Sequence, residues 1–471
     1  MPPLTFLSAA SVADAIRRKE ISPVELVKAH LERIEELNPR LNAYVEVCAE
    51  AALAGAKRAE DAIADGRICG SLHGVPISIK GAISVQDMLW ETGTRLRQGM
   101  RASQDATLVS RLRKAGAIIL GVTNTAELLM AWDTDNVLNG RTANPWDLSR
   151  TAGGSSGGEA AAIAAGMSAG GVGSDGGGSI RVPAHFSGIC GLKPTPGRIP
   201  ATGHYPESLG PFALTGVVGP MARTVGDLKL LFEAMQGLDY ADTSAAPVPV
   251  QWPLCDQLRK MRIGYFEDDG RTPVTAETRA AVRMAADALK TAGFLVEQFR
   301  PEGLEEARHQ WWRVFGTIGG MLLAPMTRGR IDELSPALKQ YLEWTAREPC
   351  HTGESLVQTW LRRDIIRQEI FQQMNEFPLL LCPAAAIPAF KHGERSWCVD
   401  NKIVQYLDAW SYTEWFNLLG TPAVVVPMSR SNEGLPIGVQ ISARPWQEEI
   451  VLSVAEELEA QRGEWCHPKP D

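Results

Sequence analysis

Apolar positions recur at two spacings along this chain, and the change of spacing marks its organisation. In the first sixty residues, Val24, Val27, Leu31, Ile34 and Leu37 fall three or four apart and so share one helical face. Ser22-Pro23-Val24-Glu25 opens that helix with a capping-box signature: Ser22 as N-cap, Pro23 at the first helical position, Glu25 at the third. A second helix is predicted over Ala49–Ala64. From Val75 short apolar runs take over. Val75-Pro76-Ile77-Ser78-Ile79 reads as a strand ending at Lys80, Leu108–Ala115 as a helix and Ala117–Gly121 as a buried strand. Further on, Arg262–Phe266 and Leu295–Glu297 predict strands on either side of a helix over Thr278–Ala292. Strands return at Leu379–Leu381, Ala423–Val426 and Gly438–Ser442 before a closing helix from Glu448. Short apolar strands alternating with helices point to an α/β sheet with helices on its faces.

Between Leu295 and Leu379 the strand pattern lapses. Trp311, Trp312, Phe315, Tyr341, Trp344 and Trp360 lie in that block, which reads as a helical insertion. The expected organisation is one unit over 1–471: a helical segment over 1–65, a first part of the core over 66–300, the insertion over 301–377 and a second part of the core over 378–471. A flexible connection is expected at Thr243–Val250, rich in Ala and Pro.

Composition narrows the function classes. Hydrophobic residues are 45% and charged residues 22% of 471, enough for a large packed core. The formal net charge of -8 argues against nucleic acid or an anionic membrane as partner, since no basic excess exists to release counterions. Cys48, Cys69, Cys190, Cys255, Cys350, Cys382, Cys398 and Cys466 are scattered with no Cys-x-x-Cys pair. They read as free thiols in a reducing compartment and not as a disulfide frame or metal site. Met1-Pro2-Pro3-Leu4-Thr5 carries no basic region before an apolar run, and no stretch of about 18 apolar residues occurs, so a cytoplasmic protein without a membrane span is expected.

Residues 139–220 hold the candidate chemistry, in two glycine clusters: Gly153-Gly154-Ser155-Ser156-Gly157-Gly158 and Gly173-Ser174-Asp175-Gly176-Gly177-Gly178-Ser179-Ile180-Arg181. The first matches Gly-x-Ser-x-Gly twice, but a nucleophile elbow needs a strand before its serine, and Asn144–Ser149 reads as a turn. Gly171-x-Gly173-x-x-Gly176 follows a helix of small residues instead of a strand, so it fails as a dinucleotide fingerprint. A better reading is an oxyanion loop: three consecutive glycines before Ser179 can bring several backbone N–H groups to one point. A serine hydroxyl needs a base. His185 and His204 lie near in sequence, in no recognisable catalytic context. Lys80, at the end of an apolar strand, is the alternative: a buried lysine loses its proton readily. From the residues alone, a lysine snorkelling at a strand end competes with that reading.

At this point the motifs resemble a known family. Gly74–Lys80, Asn144-Pro145-Trp146, Gly153–Gly158, Gly173–Arg181, Gly191–Arg198, Gly219–Arg223 and Gly438-Val439-Gln440 together are similar to the amidase signature family of serine hydrolases, most densely from 74 to 223. The resemblance implies a mixed central β-sheet flanked by helices on both faces, with the helical insertion added. It implies a Ser–cis-Ser–Lys triad, with Lys80 as base, Ser155 (after a cis peptide bond) as bridge and Ser179 as nucleophile. Gly176, Gly177, Gly178 and Ser179 are then the oxyanion donors, and Ser156, Asp175 and Arg181 support them. Neither metal nor organic cofactor is implied. Two positions depart from the family's pattern. Gly81 stands where Asp is common after the lysine, which touches the orientation of Lys80. Gly176 stands where many members have Thr or Ile, which is expected to loosen the oxyanion loop or leave room beside it.

Leu128, Leu129, Met130 and Trp132 suggest an apolar acyl or aryl pocket, Leu129 and Met130 above all; the alternative is that they are core. Trp311, Trp312 and Phe315 are placed to cap the site or only to pack on it. The expected reaction is hydrolysis of a carboxamide C–N bond through an acyl-enzyme, on apolar or aryl amides, with esters and carbamates (urethanes) also reachable. The alternative is a glutamine amidotransferase component of the A type, supplying ammonia in a complex; a silent binding protein on this fold is a third reading. Beyond the small-molecule substrate, a homodimer is compatible with the sequence and not fixed by it.

Overall fold

The computed structural model describes residues 3–68, 70–348 and 351–470. The capping signature at Ser22 works as a cap: its hydroxyl accepts from the amides of Val24 and Glu25, and Pro23 opens the helix Pro23–Leu41. The hydroxyl's own proton goes to Glu60, 2.5 Å away on the helix Ala49–Ala64.

One eleven-stranded sheet organises the chain. Its strands are β1 (Tyr44–Val47), β2 (Pro76–Lys80), β3 (Ile118–Thr123), β4 (Gly170–Asp175), β5 (Cys190–Lys193), β6 (Val217–Ala222), β7 (Arg262–Tyr265), β8 (Leu295–Gln298), β9 (Leu379–Pro383), β10 (Ala423–Arg430) and β11 (Pro436–Ser442). Their order is β1-β3-β2-β4-β6-β5-β10-β11-β9-β7-β8. The pairs β2–β3, β2–β4, β7–β9 and β7–β8 are parallel and the rest antiparallel, so the sheet is mixed, as the resemblance implied. Strand period decides which core each side chain joins. Val424 and Val426 face one way, onto Leu228, Val282 and Leu452 of three covering helices. Val425 faces the other way, with Ala160, Ile163 and Ala184 of the helices Gly157–Ala164 and Arg181–Ser187. All three valines are wholly buried, and each contributes about 1.5–3 kcal/mol by leaving water.

Two local expectations are corrected. Tyr44–Val47 is a strand inside a region read as wholly helical; it pairs antiparallel with β3, and four residues are too few to declare a period. The segment read as a turn at Asn144–Ser149 turns only at Pro145-Trp146; the rest belongs to a two-stranded hairpin, Ala143–Asn144 with Asp147–Thr151. Cys48, Cys190, Cys255, Cys382, Cys398 and Cys466 are free thiols, whereas Cys69 and Cys350 lie outside the described residues. No described helix is long and apolar enough to cross a membrane.

The block after β8 is helical: Leu304–Trp311, a π-helical turn Trp312–Thr317, then Ile318–Thr327, Pro336–Arg347 and Gly353–Gln373. Its first helix packs on the helix Ser411–Leu419, where Arg308 Nε donates to Glu414 at 3.0 Å and Arg308 Nη2 to Asp408 at 2.7 Å.

Candidate active site

Parallel pairing of β2 with β4, Ile79 opposite Val172, brings the two strand ends together and sets Lys80 beside Ser174 and Asp175. Every residue of β2 is buried, Lys80 completely. The peptide bond from Gly154 to Ser155 is cis. Lys80 Nζ sits within a ring of hydroxyls: Ser155 Oγ at 2.7 Å, Ser156 Oγ at 2.8 Å and Ser174 Oγ at 3.0 Å. Burial lowers the lysine pKa to about 7, against the opposing pull of the Asp175 and Glu159 carboxylates. At neutral pH a large share of Lys80 is therefore free amine, with a lone pair to offer. Gly81 does not loosen this arrangement. Its N–H donates to the Thr123 carbonyl at 2.9 Å, and a Cβ there would stand 2.7 Å from that same oxygen, so the backbone is too close to β3 for a side chain.

The loop from Asp175 to Ser179 can be read one peptide at a time. The Asp175 carbonyl accepts from Asn417 Nδ2 at 3.2 Å, the Gly176 carbonyl from Trp311 Nε1 at 2.8 Å and the Gly177 carbonyl from Trp132 Nε1 at 2.8 Å. Thr413 Oγ1 also lies 2.8 Å from the Gly177 carbonyl, its one proton shared with the Trp410 carbonyl. The Gly178 and Ser179 carbonyls accept from the amides of Val182 and Ser156, at 2.7 and 3.2 Å. A trans peptide is planar with its N–H opposite its C=O, so holding each carbonyl aims the next amide the other way. Among the described residues, no acceptor takes the amides of Gly176, Gly177 and Ser179. The amide of Gly178 is different: it donates to Asp175 Oδ1 at 2.7 Å. Gly178, expected among the oxyanion donors, is thus a support of the loop, because its N–H is already spent.

Asp175 organises the loop. Its carboxylate also accepts from the Ile180 amide at 3.0 Å, from Arg181 Nη2 at 2.9 Å and Nε at 3.0 Å, and from Asn417 Nδ2 at 3.0 Å. Burial alone would raise its pKa; the Arg181 guanidinium and the amides hold it well below the usual carboxylate range. Asp175 and Arg181 are both fully buried, as is Ser156 against Lys80.

Over this loop opens a cavity with about 740 Å³ of atom-free space, the open solvent at its mouth included. Ser155 and Ser179 both line it; Ser155 is fully buried while Ser179 keeps 8% exposure, so Ser179 is the more accessible of the two. No hydrogen bond joins the two hydroxyls in the resting structure, whereas the Lys80–Ser155 contact is already made. The walls are apolar and include Leu129, Met130, Trp132, Phe212, Trp312 and Phe315. Leu128 is core instead, packed on Leu323, Leu334 and Leu338. A Cβ on Gly176 would clash with the edge of the Phe315 ring, so the room expected beside that glycine is filled by the insertion.

Of the two histidines, His185 is structural: burial lowers its pKa to about 4, Nδ1 accepts from the Gly438 amide at 2.8 Å, and Nε2 lies 3.1 Å from the Ile387 carbonyl. His204 does line the cavity. Its Nδ1 is 2.9 Å from the Pro206 carbonyl, and burial, aided by the charge of Lys80, lowers its pKa to about 4. Sequence reasoning missed Ser174, and Glu159, which burial raises to about 7 although Ser78 and Thr123 hydroxyls donate to it at 2.5 and 2.8 Å. It also missed Trp132, Trp311, Thr413 and Asn417 as partners of the loop. Glu159, right after the first glycine cluster, had a local signal; Asn417, 242 positions from Asp175, had none. Among the described residues no group of three or more His, Cys, Asp and Glu is placed to hold a metal ion.

Comparison with known proteins identifies the family. A family model for amidases matches residues 25–452. The indoleacetamide hydrolase of Bradyrhizobium diazoefficiens is 34% identical over 99% of this chain and 88% of its own. The A-type component of the glutamyl-tRNA(Gln) amidotransferase of Chloroflexus aggregans is 32% identical over 100% of this chain and 99% of its own. The solved structure of a bacterial aryl acylamidase has a TM-score of 0.86 at 26% identity, covering 97% of this chain and 96% of that one. With motifs, sheet and sequence matched over nearly its whole length, the chain belongs to the amidase signature family.

Proposed function

We propose that the protein hydrolyses apolar or aryl carboxamides by acyl transfer to Ser179, with Lys80 as base and Ser155 between them. The observation that carries this reading is the buried Lys80 amine, 2.7 Å from Ser155 Oγ, with Ser155 lining a cavity shared by Ser179 and three unengaged amides; burial lowers the lysine to about 7. Lys80 takes a proton from Ser155, and Ser155 takes one from Ser179 as the substrate brings the two hydroxyls together. Ser179 Oγ bonds to the acyl carbon, and the amides of Gly176, Gly177 and Ser179 receive the oxyanion. The relay then returns its proton to the departing nitrogen as the C–N bond breaks. Water enters by the same relay, its oxygen bonding to the acyl carbon and releasing Ser179. Esters and carbamates fit the same scheme, since each presents a carbonyl and a leaving group.

A role as the A-type component of an amidotransferase draws support from the Chloroflexus relative. The cavity favours the hydrolase. Glutamine would bring an ammonium and a carboxylate, and the only carboxylate among the described lining residues, Asp175, is paired with Arg181. Purified protein without partners is expected to release the aromatic amine from p-nitroacetanilide and from an aryl urethane. A fluorophosphonate is expected to label it at Ser179 and to leave Ser179→Ala unlabelled. Glutaminase activity appearing only with added partner proteins would transfer support to the second reading, and absence of labelling would remove the acyl-enzyme.

A further inference from the structure

We infer that Trp311 is a positioning residue of this active site: its indole N–H, given to the Gly176 carbonyl, keeps the Gly177 amide aimed at the substrate oxygen. The inference rests on the acyl-transfer reading at Ser179 and adds to it a part supplied by the helical insertion.

Four of the five loop carbonyls are held by groups outside the helical insertion. Asn417 and Thr413 come from the helix Ser411–Leu419, Trp132 from the segment after β3, and the amides of Val182 and Ser156 from the loop's own surroundings. The Gly176 carbonyl differs: its one donor among the described residues is Trp311 Nε1, at 2.8 Å. This peptide joins two glycines. With no Cβ on either side, little steric cost opposes a flip of its plane. A flip would turn the Gly177 N–H away from the cavity and present the carbonyl, a repulsive partner for a developing oxyanion. A single hydrogen bond therefore decides which face of the peptide meets the substrate.

Trp311 is fixed firmly enough to do this. It is 1% exposed and ends the helix Leu304–Trp311. That helix is tied through Arg308 to Glu414, on the same helix that supplies Thr413 and Asn417. The Trp311 ring stacks on Phe315 at 5.2 Å between centroids and 13° between planes, and Phe315 fills the place of a side chain at position 176. The aromatic pair thus stands in for the Thr or Ile that the loop lacks.

The test removes the N–H and keeps the ring: Trp311→Phe, and, in parallel, replacement of Trp311 by 3-benzothienylalanine, which keeps the bicyclic volume with sulfur in place of N–H. The expected result in both is a kcat about 10- to 100-fold lower, somewhat less than complete loss of one oxyanion donor, with KM within about threefold. Affinity for a trifluoromethyl ketone, whose adduct at Ser179 carries an oxyanion, should fall by the same factor, while affinity for the product acid stays level. A purely structural role would lower thermal stability without this split. Should Trp311→Phe fail to fold, the benzothienyl protein decides. Its retaining kcat and ketone affinity within twofold of the natural protein, with Ser179 still labelled by fluorophosphonate, would overturn this inference alone. A natural protein that is not labelled would overturn the acyl-transfer reading and this inference with it.

Discussion

Lys80→Met is expected to lower kcat for amide hydrolysis on the order of 10⁴-fold while leaving the fold intact. The methionine matches the length of the lysine stem in a site with no exposure, so packing is kept. What is lost is the amine that reaches Ser155. Ser155 cannot then relay a proton, and Ser179 is left as an unactivated alcohol. If base, bridge and nucleophile act as one unit, as proposed, Ser179→Ala added to Lys80→Met should cost only a few-fold more than either alone. Near-full activity in Lys80→Met would sink the relay and return His204, which lines the same cavity, as the base. The pH profile checks the same point. The lysine is lowered to about 7, so kcat/KM should be small where the amine is protonated, rise with pH through about 7 and level off above it. The Glu159 carboxylate pulls the other way, favouring protonated lysine. Glu159→Gln should therefore move the rising limb to lower pH, and an unmoved limb would mean that it does not report Lys80.

The sequence carried the parts of the site that are local. Lys80 ends an apolar strand, and Ser155 and Ser179 sit in glycine clusters; β4, whose pairing with β2 sets Lys80 beside Ser174, has three glycines in six residues and so shows no apolar strand pattern. The sheet was legible where its strands are apolar runs, such as Ala423–Val426, covered on both faces; β4, β5 and β6, in the glycine-rich centre, lack that pattern. What stayed hidden depends on contacts across the chain. Trp311 looked like any aromatic of a helical block, and its role appears only when its helix is seated against Gly176, 135 positions away in sequence. That Gly178 spends its amide on Asp175 follows from the turn of the backbone, which a run of three glycines does not specify. Gly81 and Gly176 read as departures that loosen the site; in three dimensions the Thr123 carbonyl and the Phe315 ring occupy the space a side chain would need.

Removing the charge of Asp175 should be the most damaging change to stability. Asp175→Asn is expected to destabilise the protein by about 3–5 kcal/mol, read as a lower urea midpoint, and to abolish activity with it. Arg181 is wholly buried, and apart from Asp175 its guanidinium meets only the neutral oxygens of Asn417 at 2.5 Å and Gln440 at 3.2 Å among the described residues. Without the carboxylate it is a buried, unbalanced cation. The amide that replaces one carboxylate oxygen would also point a donor at the donors of Gly178 or Ile180, and the loop that holds Ser179 would open. Arg181→Met leaves the opposite problem, a buried anion whose remaining partners are backbone amides and Asn417, and should destabilise comparably. The double variant Asp175→Asn/Arg181→Met removes both charges together. It should therefore be less unstable than the sum of the two single changes, with a coupling of about 1–3 kcal/mol. Additive losses would mean that the pair is not coupled and that the loop is held by its amides alone. Linkage gives an independent reading. The folded carboxyl titrates below its unfolded value, so its contribution is present above about pH 4 and is lost as pH falls further. Between pH 4 and pH 2 the natural protein should lose stability more steeply than Asp175→Asn, and parallel slopes would show that the carboxylate of Asp175 is not the group that holds the oxyanion loop closed.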